Sequence, residues 1–556
     1  MLIKIKHSIL AISLGLAFSA CENDYLEKYP LDGPSSETFY SSEGELMMGL
    51  AGAYKGLNFN PKGSRPWPII LDVTTDLSWN RSLHAMQDIG NGSHESDNGS
   101  VLIFWREFYQ TIGRANFLLD NIEPLRDEIS PEVYERVRAE ARFIRALSYH
   151  YLIELFGDVP LVTKTLTLNE AQMPRNPKQE VVDFILTELT EAAAELEPSY
   201  SDDIYHGRAT KGAALAIKAR TALYNKRWDV AADASKEVMN LGYSLHPDFA
   251  ELFTYDGQTS EEILFSLQYL KGVITHATAN YLTSRLAGGV SNEVPSQTVV
   301  DSYLSEDGLP IHESPLYDPE NPFENRDPRL HSSVVLPGSI LFGYEFQTHD
   351  DSLRIWNYNV NPPVQVNNTD ANHAYATYTG YLWRKYTDIR DMADDTNSDI
   401  NLILIRYAEV LLIHAEAKIE AGVIDESVYN ALNEVRERAG MPTIESGKTQ
   451  EELRSIVRRE RKYELANEGL RLFDIRRWEI ADEVMPGPFL GRIPNELLNE
   501  APVINSYGTP NYSNVTNGSE LRHVELRNFN PSRDYLWPIP SIEIQTNQEL
   551  EQNPGY

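Results

Sequence analysis

The sequence predicts a mainly α fold, built on tetratricopeptide-like helix pairs with long irregular loops and little β structure. Two observations predict it. Apolar residues recur at three- and four-residue spacing over several long stretches, which is the period of an amphipathic helix. The stretches between them are rich in Gly, Asn, Pro, Ser and aromatic residues, a composition typical of ordered loops. With 42% hydrophobic residues, the chain can form a large core.

The most regular apolar stripe runs from Val133 to Leu155. Pro131 stands near its start and Gly157 just past its end, the residues that commonly begin and end a helix. A second stripe has Phe104, Phe108 and Ile112 at four-residue spacing. It predicts a helix from Ser100 to Ile122.

Two later stretches predict helix pairs. The first extends from Thr210 to Leu241, with Trp228 at the expected turn and alanines spaced along one face of its first helix. Small side chains let facing helices approach closely, as in tetratricopeptide repeats. The second pair is expected from Leu404 to Gly440, and a further helix from Glu451 to about Asn467. No strict 34-residue repeat is present.

The loop-like composition is concentrated in three segments. These are Gly56 to Gly99, Gly272 to Tyr386 and Asp482 to Pro531. Long irregular segments of a compact protein often carry its function, so the binding residues are expected there.

The N-terminus has the layout of a bacterial secretion signal. Lys4 and Lys6 precede an apolar run that ends at Phe18, and small residues lead to Cys21, the single cysteine of the chain. The run is too short to span a membrane. We expect residues 1–20 to be a lipoprotein signal peptide and Cys21 to be acylated. The alternative is an ordinary secretion signal followed by a chance cysteine.

The charge balance excludes one class of partner. Asp and Glu number 82 against 49 Lys and Arg, a net charge of −33. Nucleic acid requires a basic surface, so it is not expected as a ligand. A broad face for polyanions is disfavoured as well, although a local basic pocket remains open. No P-loop, G-x-S-x-G or H-E-x-x-H motif is present, and we expect neither a metal nor a cofactor.

Several strings in order resemble the SusD/RagB family of Bacteroidetes. They include RFIRALSYHYLIELFGDVPLV from Arg142, EILFSLQ from Glu262 and RYAEVLLIHAEA from Arg406. The most specific are RRERKYELANEG with FDIRRW, from Arg458 to Trp478, and YLWPIP with the terminal NPGY. Asn467 departs from the apolar or aromatic residue common in the family.

The resemblance implies a single large domain over residues 21–556, on four tetratricopeptide-like helix pairs. Its N-terminal part is expected over 21–250 and its C-terminal part over 251–556. It also implies a lipid-anchored protein at the outer membrane, facing the cell exterior. Such a protein binds an oligo- or polysaccharide and delivers it to a SusC-like TonB-dependent transporter, without catalysis.

Sugar rings present C–H faces that aromatic side chains cover, and hydroxyls that polar side chains bind. Of the eight tryptophans, Trp105, Trp228, Trp383, Trp478 and Trp537 lie in helical or framework segments and are expected to pack. The remaining three, with their polar neighbours, are the candidates. The candidate ligand-binding residues are Trp79, Asp76, Asn80, Arg81, Trp67, Tyr281, Arg285 and Trp356.

The best candidate segment is the one around Trp79, and the resemblance places a glycan-binding loop there. Its alternative is that Asp76 caps a turn and Trp79 fills a local crevice. Two other functions stay open: a helical-repeat adaptor that binds only protein, and a surface glycan hydrolase. Glu460 and Glu464 could be taken for a catalytic carboxylate pair, but charges at this helical spacing more often form packed or solvated pairs.

Overall fold

The computed structural model describes residue 40 and residues 42–82, 84–200 and 205–556. Helix accounts for 43% of the structure and strand for 11%, which confirms the predicted mainly α class. Among the helices of these ranges, none combines the length and the apolar character needed to cross a bilayer. The predicted signal peptide and Cys21 lie outside the described residues.

Helices occupy both halves of the described chain. They are α1 Glu43–Gly56, α2 Trp67–Ile70, α3 Ala85–Asn91, α4 Gly99–Ile122, α5 Pro131–Phe156, α6 Lys178–Glu195, α7 Lys211–Tyr224, α8 Trp228–Met239, α9 Thr278–Leu282, α10 Gln297–Ser302, α11 Pro328–Ser333, α12 Thr369–Asn372, α13 Tyr407–Glu420, α14 Glu426–Arg438, α15 Gln450–Glu464, α16 Arg471–Arg477, α17 Ala481–Val484 and α18 Ser541–Thr546.

The strands are short and pair mostly in twos. They are β1 Ser78–Asn80, β2 Ile263–Leu267, β3 Glu293–Pro295, β4 Val334–Val335, β5 Ile340–Leu341, β6 Tyr344–Glu345, β7 Arg354–Asn357, β8 Val364–Asn367, β9 Leu382–Trp383, β10 Leu402–Arg406, β11 Gly487–Gly491, β12 Val503–Ile504, β13 Pro510–Asn511 and β14 Arg522–Arg527. The pairs are β1–β3, β2–β10, β4–β9, β11–β14 and β12–β13, and β5 to β8 form one four-stranded antiparallel sheet.

The long helices pack against one another in succession. Helix α4 packs on α5, α5 on α6, α6 on α7 and α7 on α8. Helix α8 then packs on α13, which also contacts α14 and α15. Alanines of α7 are fully buried, as expected where backbones approach closely. One continuous core therefore runs through the helices of both halves.

The sequence signals place the helix ends well. Ser130 accepts a hydrogen bond from the N–H of Val133 at the start of α5, and Gly157 ends that helix with a positive φ of 76°. Thr449 and Glu452 form a capping box at the start of α15. Trp228 begins α8 and does not lie in the preceding turn. The predicted end at Asn467 is three residues beyond the observed end of α15 at Glu464.

Three expectations about the loops need correction. The helix pair expected from Leu404 begins at Tyr407, because the preceding residues form β10 against β2. The segment from Gly272 to Tyr386 contains the four-stranded sheet and other short strands. The last predicted loop contains β11 to β14. In the pairs β1–β3, β2–β10, β4–β9 and β11–β14 the partners lie far apart in sequence, so no local pattern indicates them, whereas β5 to β8 and β12–β13 pair locally.

Candidate functional site

The segment around Trp79 is held by a short strand pair. Strand β1 pairs antiparallel with β3, with Trp79 opposite Val294 and Asn80 opposite Glu293. Successive side chains of a strand point to opposite faces, so Trp79 leaves one face and Asn80 the other. The segment is therefore ordered structure, and the two candidate side chains do not face the same space.

Trp79 lies inside a second, smaller core cluster. Its side chain packs with Val335, Leu382 and Phe489, and only 5% of the residue is exposed. The ring of Tyr378 covers it at a centroid distance of 5.5 Å. Burial of this kind matches the packing alternative, and the exposed ring at this position is that of Tyr378.

Asp76 and Asn80 are buried in polar contacts with the framework. Both oxygens of Asp76 accept hydrogen bonds from Arg471, at 2.8 and 2.9 Å. Burial works to raise the pKa of Asp76, but the cations Arg471 and Lys462 hold it below its ordinary value. Asn80 donates to Glu293 at 3.3 Å. Neither polar group is free to bind a ligand hydroxyl.

The two other candidate tryptophans lie apart from this segment. Trp67 begins α2, is 1% exposed and donates its indole N–H to the carbonyl of Leu57 at 2.9 Å. It was expected in an irregular loop; instead aromatic residues from distant helices, such as Tyr151 at 4.6 Å between centroids, enclose it. Trp356 lies on β7 and is 40% exposed. The structure thus removes Trp67 from the surface and leaves Trp356 on it.

Arg81 and Arg285 come together around a residue that the sequence did not single out. The guanidinium carbon of Arg81 lies 4.7 Å from the ring centroid of Tyr375, and that of Arg285 lies 6.0 Å from it. His373 contacts the same ring at 5.5 Å between centroids. We call Arg81, Arg285, His373, Tyr375 and Tyr378 the arginine–tyrosine surface.

The two arginines are positioned by backbone carbonyls of one loop. Arg81 donates to the carbonyl of Val290 at 3.0 Å, and Arg285 to that of Gly289 at 2.6 Å. The backbone N–H of Arg285 is bound by the buried carboxyl of Asp370 at 2.7 Å. These bonds use only part of the five N–H donors on each guanidinium group. The Nε of Arg285 is buried, so the unbonded terminal N–H groups are the candidate donors to a ligand.

Tyr281 lies on α9, just before that loop, and serves another contact. The guanidinium of Arg65 stacks on its ring at 3.8 Å, and Arg65 also pairs with Glu293 at 3.1 Å. Of the eight candidates, only Arg81 and Arg285 meet at the arginine–tyrosine surface, and Trp79 lies beneath it.

Tyr375 and Tyr378 are the exposed aromatics of this surface. They are 55% and 44% exposed, and they stand in the string NHAYATYTGY. The feature that indicated Trp356, an aromatic side chain in a polar loop, is present at Tyr375 and Tyr378 as well. Partly exposed rings beside guanidinium N–H donors can cover sugar C–H faces and bind hydroxyls.

The carboxylates of the RRERKYELANEG string form a buried ion network. Glu464 pairs with Arg406 at 2.7 Å, with Arg329 at 3.3 Å and with Arg438. Burial opposes ionisation, yet these three cations hold the pKa of Glu464 far below its ordinary value. A glycosidase acid needs a carboxyl with a raised pKa in an open cleft. The pair Glu460 and Glu464 is therefore a packing feature.

Within residues 40, 42–82, 84–200 and 205–556, no group of three or more His, Cys, Asp or Glu side chains could hold a metal ion.

Comparison with known proteins gives matches over nearly the whole chain. Residues 261–556 match the model of the SusD family, and residues 24–223 match a model described as starch-binding and associating with the outer membrane. SusD-like protein P2 of Formosa agariphila is 27% identical over 99% of this chain and 100% of its own length. The starch-binding protein SusD of Bacteroides thetaiotaomicron is 26% identical over 80% of this chain and 76% of its own.

Solved structures give the same result. A SusD-like carbohydrate-binding protein of Bacteroides fragilis superposes with a TM-score of 0.79 at 30% identity, covering 92% of this chain and 100% of that one. A second SusD-like protein of that species has a TM-score of 0.75 at 26% identity, covering 95% and 100%. Sequence, fold and order of the framework strings agree, and the chain belongs to the SusD family.

Proposed function

We propose that this protein binds an oligo- or polysaccharide at the arginine–tyrosine surface and delivers it, without catalysis, to a SusC-like TonB-dependent transporter. The single observation that carries the binding role is the exposure of Tyr375 and Tyr378 beside Arg81 and Arg285. Large aromatic rings usually lie inside a protein, and open ones with polar neighbours are typical of binding sites.

The site residues fall into two layers in this proposal. Tyr375 and Tyr378 supply ring faces, and Arg81 and Arg285 donate hydrogen bonds. Trp79 packs against the ring of Tyr378. Contact of Trp79 itself with the ligand stays a prediction. Trp356, exposed on β7, is the competing ring platform.

The relatives support the class of ligand. One solved relative is described as carbohydrate-binding, and one curated relative is named starch-binding. The family model that covers residues 24–223 is described as associating with the outer membrane. We propose that this chain is held there, facing the cell exterior, by acyl groups on Cys21. The lipid chains would add about 0.8 kcal/mol of membrane binding for each buried methylene.

A glycan array tests the binding role against its two rivals. The purified full chain should bind a defined subset of glycans, and Tyr375→Ala should lose about tenfold in affinity for them, since stacking on an aromatic ring contributes about 1–3 kcal/mol. The bound glycan should be recovered uncleaved by chromatography. Release of shorter products would indicate the hydrolase, and the absence of any glycan binding would favour the protein-binding adaptor.

A further inference from the structure

Arg81 and Arg285 are two neighbouring cations in an acidic protein. The protein carries a net charge of −33, and its half-exposed Arg390, for example, pairs with Asp256 at 2.8 Å and Asp388 at 2.6 Å. Among the described residues, by contrast, no Asp or Glu forms an ion pair with Arg81 or Arg285. Both cations lie at the ring of Tyr375 without a carboxylate partner.

The positive charge of Arg285 lies close enough to act on Arg81. Partial burial, and then the positive charge of Arg285, lower the pKa of Arg81. The nearest acid, Asp370, is almost fully buried, and its carboxyl is engaged by the backbone N–H of Arg285. Burial raises the pKa of Asp370 to about 6. The repulsion is thus only partly offset within the protein.

A third arginine extends the positive region. Arg522 on β14 donates to the backbone carbonyl of Tyr378 at 3.4 Å and has no ion-pair partner among the described residues. This hydrogen bond places a third cation beside the backbone of Tyr378.

We propose that the ligand is an anionic glycan, whose carboxylate or sulfate groups bind Arg81 and Arg285 while a sugar ring covers Tyr375. The proposal rests on the binding function proposed above. Guanidinium groups bind carboxylate and sulfate through paired, charge-assisted hydrogen bonds. Both guanidinium carbons lie within 6.0 Å of one ring centroid, so a short oligosaccharide reaches them together.

The charge of the whole molecule restricts what kind of anion fits. A densely charged polyanion lying across a broad face would be repelled by the protein's net charge of −33. Screening at physiological salt confines each charge to about 8 Å, so the local positive region acts only on nearby groups. The expected ligand is therefore a glycan that carries isolated anionic substituents.

An array that carries neutral, uronic-acid-containing and sulfated oligosaccharides tests the inference with the full chain. Binding confined to charged glycans supports it, and the set that binds identifies carboxylate or sulfate as the group. Chemical reduction of the carboxyls, or desulfation, of the bound glycan should weaken binding at least about tenfold. Binding to neutral glycans with equal affinity overturns the anionic inference and leaves the proposed function intact. Binding to no glycan at all overturns the proposed function itself.

Arginine variants provide the matched comparison by calorimetry. Arg81→Gln and Arg285→Gln should each weaken binding of the charged glycan about tenfold and remove most of its salt dependence. Arg114→Gln on the exposed side of α4 makes the same change in net charge and should bind as the wild type does. If all three variants bind equally, the guanidiniums do not contact the anion and the inference is wrong. The glycan comparison on the wild type needs no variant, so a folding defect cannot mask the result.

Discussion

Trp79 shows how one side chain can be a binding candidate in sequence and a packing residue in the structure. Its segment is polar and lacks helical period, but the enclosing residues Val335, Leu382 and Phe489 come from strands far along the chain. Only the three-dimensional contacts reveal the cluster. At this scale, the binding role predicted for Trp79 is proposed for its exposed partner Tyr378.

Replacement of Trp79 tests that assignment. Trp79→Ala should lower the free energy of unfolding by about 3–5 kcal/mol, because it leaves a large cavity in the small core cluster. Trp478→Ala, which removes a buried ring whose N–H donates to Glu416 at 2.6 Å, should cost a similar amount. Denaturant unfolding of both variants measures it. A Trp79→Ala protein as stable as the wild type would show that this ring is not a core residue.

The elements that the sequence predicted best are those whose signals are local. Helix α5 was predicted from its apolar stripe together with Pro131 and Gly157, and it begins and ends at those signals. Strand β10 was missed because LILIR is a continuous apolar run, which reads equally well as buried helix or buried strand. Its partner β2 lies more than a hundred residues earlier.

Buried ion pairs connect helix α15 to strand β10. Arg406 of β10 contacts Glu262, Glu464 and Glu468 at 2.6 to 2.8 Å, all nearly inaccessible to water. Arg406→Ala would leave these carboxylates without their main cation. We expect a loss of about 3–5 kcal/mol in the free energy of unfolding.

The control for this prediction is an exposed arginine with similar partners. Arg390 pairs with Asp256 and Asp388 but is half-exposed, so Arg390→Ala should cost only about 0–1 kcal/mol. Thermal unfolding of the two variants compares them. Equal losses would mean that the buried network does not hold α15 to β10.

At the scale of the whole molecule, the family resemblance and the mainly α class were available from the sequence, whereas only Arg81 and Arg285 of the proposed site were among the predicted residues. Arg81 and Arg285 were identified as loop-borne polar residues. Their meeting point at Tyr375 was not, because about 290 residues separate Arg81 from Tyr375, and the intervening loops reveal no proximity. The burial of Trp67 was not predicted either, because residues of distant helices cover it.

The proposed anchor is a property of the whole molecule as well. Cys21→Ser should prevent acylation and move the protein from the membrane fraction to the soluble fraction, because the acyl chains supply the membrane affinity. Incorporation of labelled fatty acid into the wild type, followed by fractionation, measures both effects. The wild type should also co-purify with a large outer-membrane barrel in mild detergent. A wild-type chain that takes up no fatty acid would contradict the lipoprotein assignment.

The central claim is that sugar binds at the arginine–tyrosine surface, and two matched double variants test it most directly. Tyr358 and Tyr378 are equally exposed, at 44%, and Tyr358 lies just beyond Trp356 on the four-stranded sheet. In titration calorimetry with the glycan that the array selects, the Tyr375→Ala, Tyr378→Ala double variant should lose at least about tenfold in affinity. The Trp356→Ala, Tyr358→Ala double variant should bind as tightly as the wild type. The reverse result, with affinity lost only when Trp356 and Tyr358 are replaced, would place the site on the sheet and contradict the account.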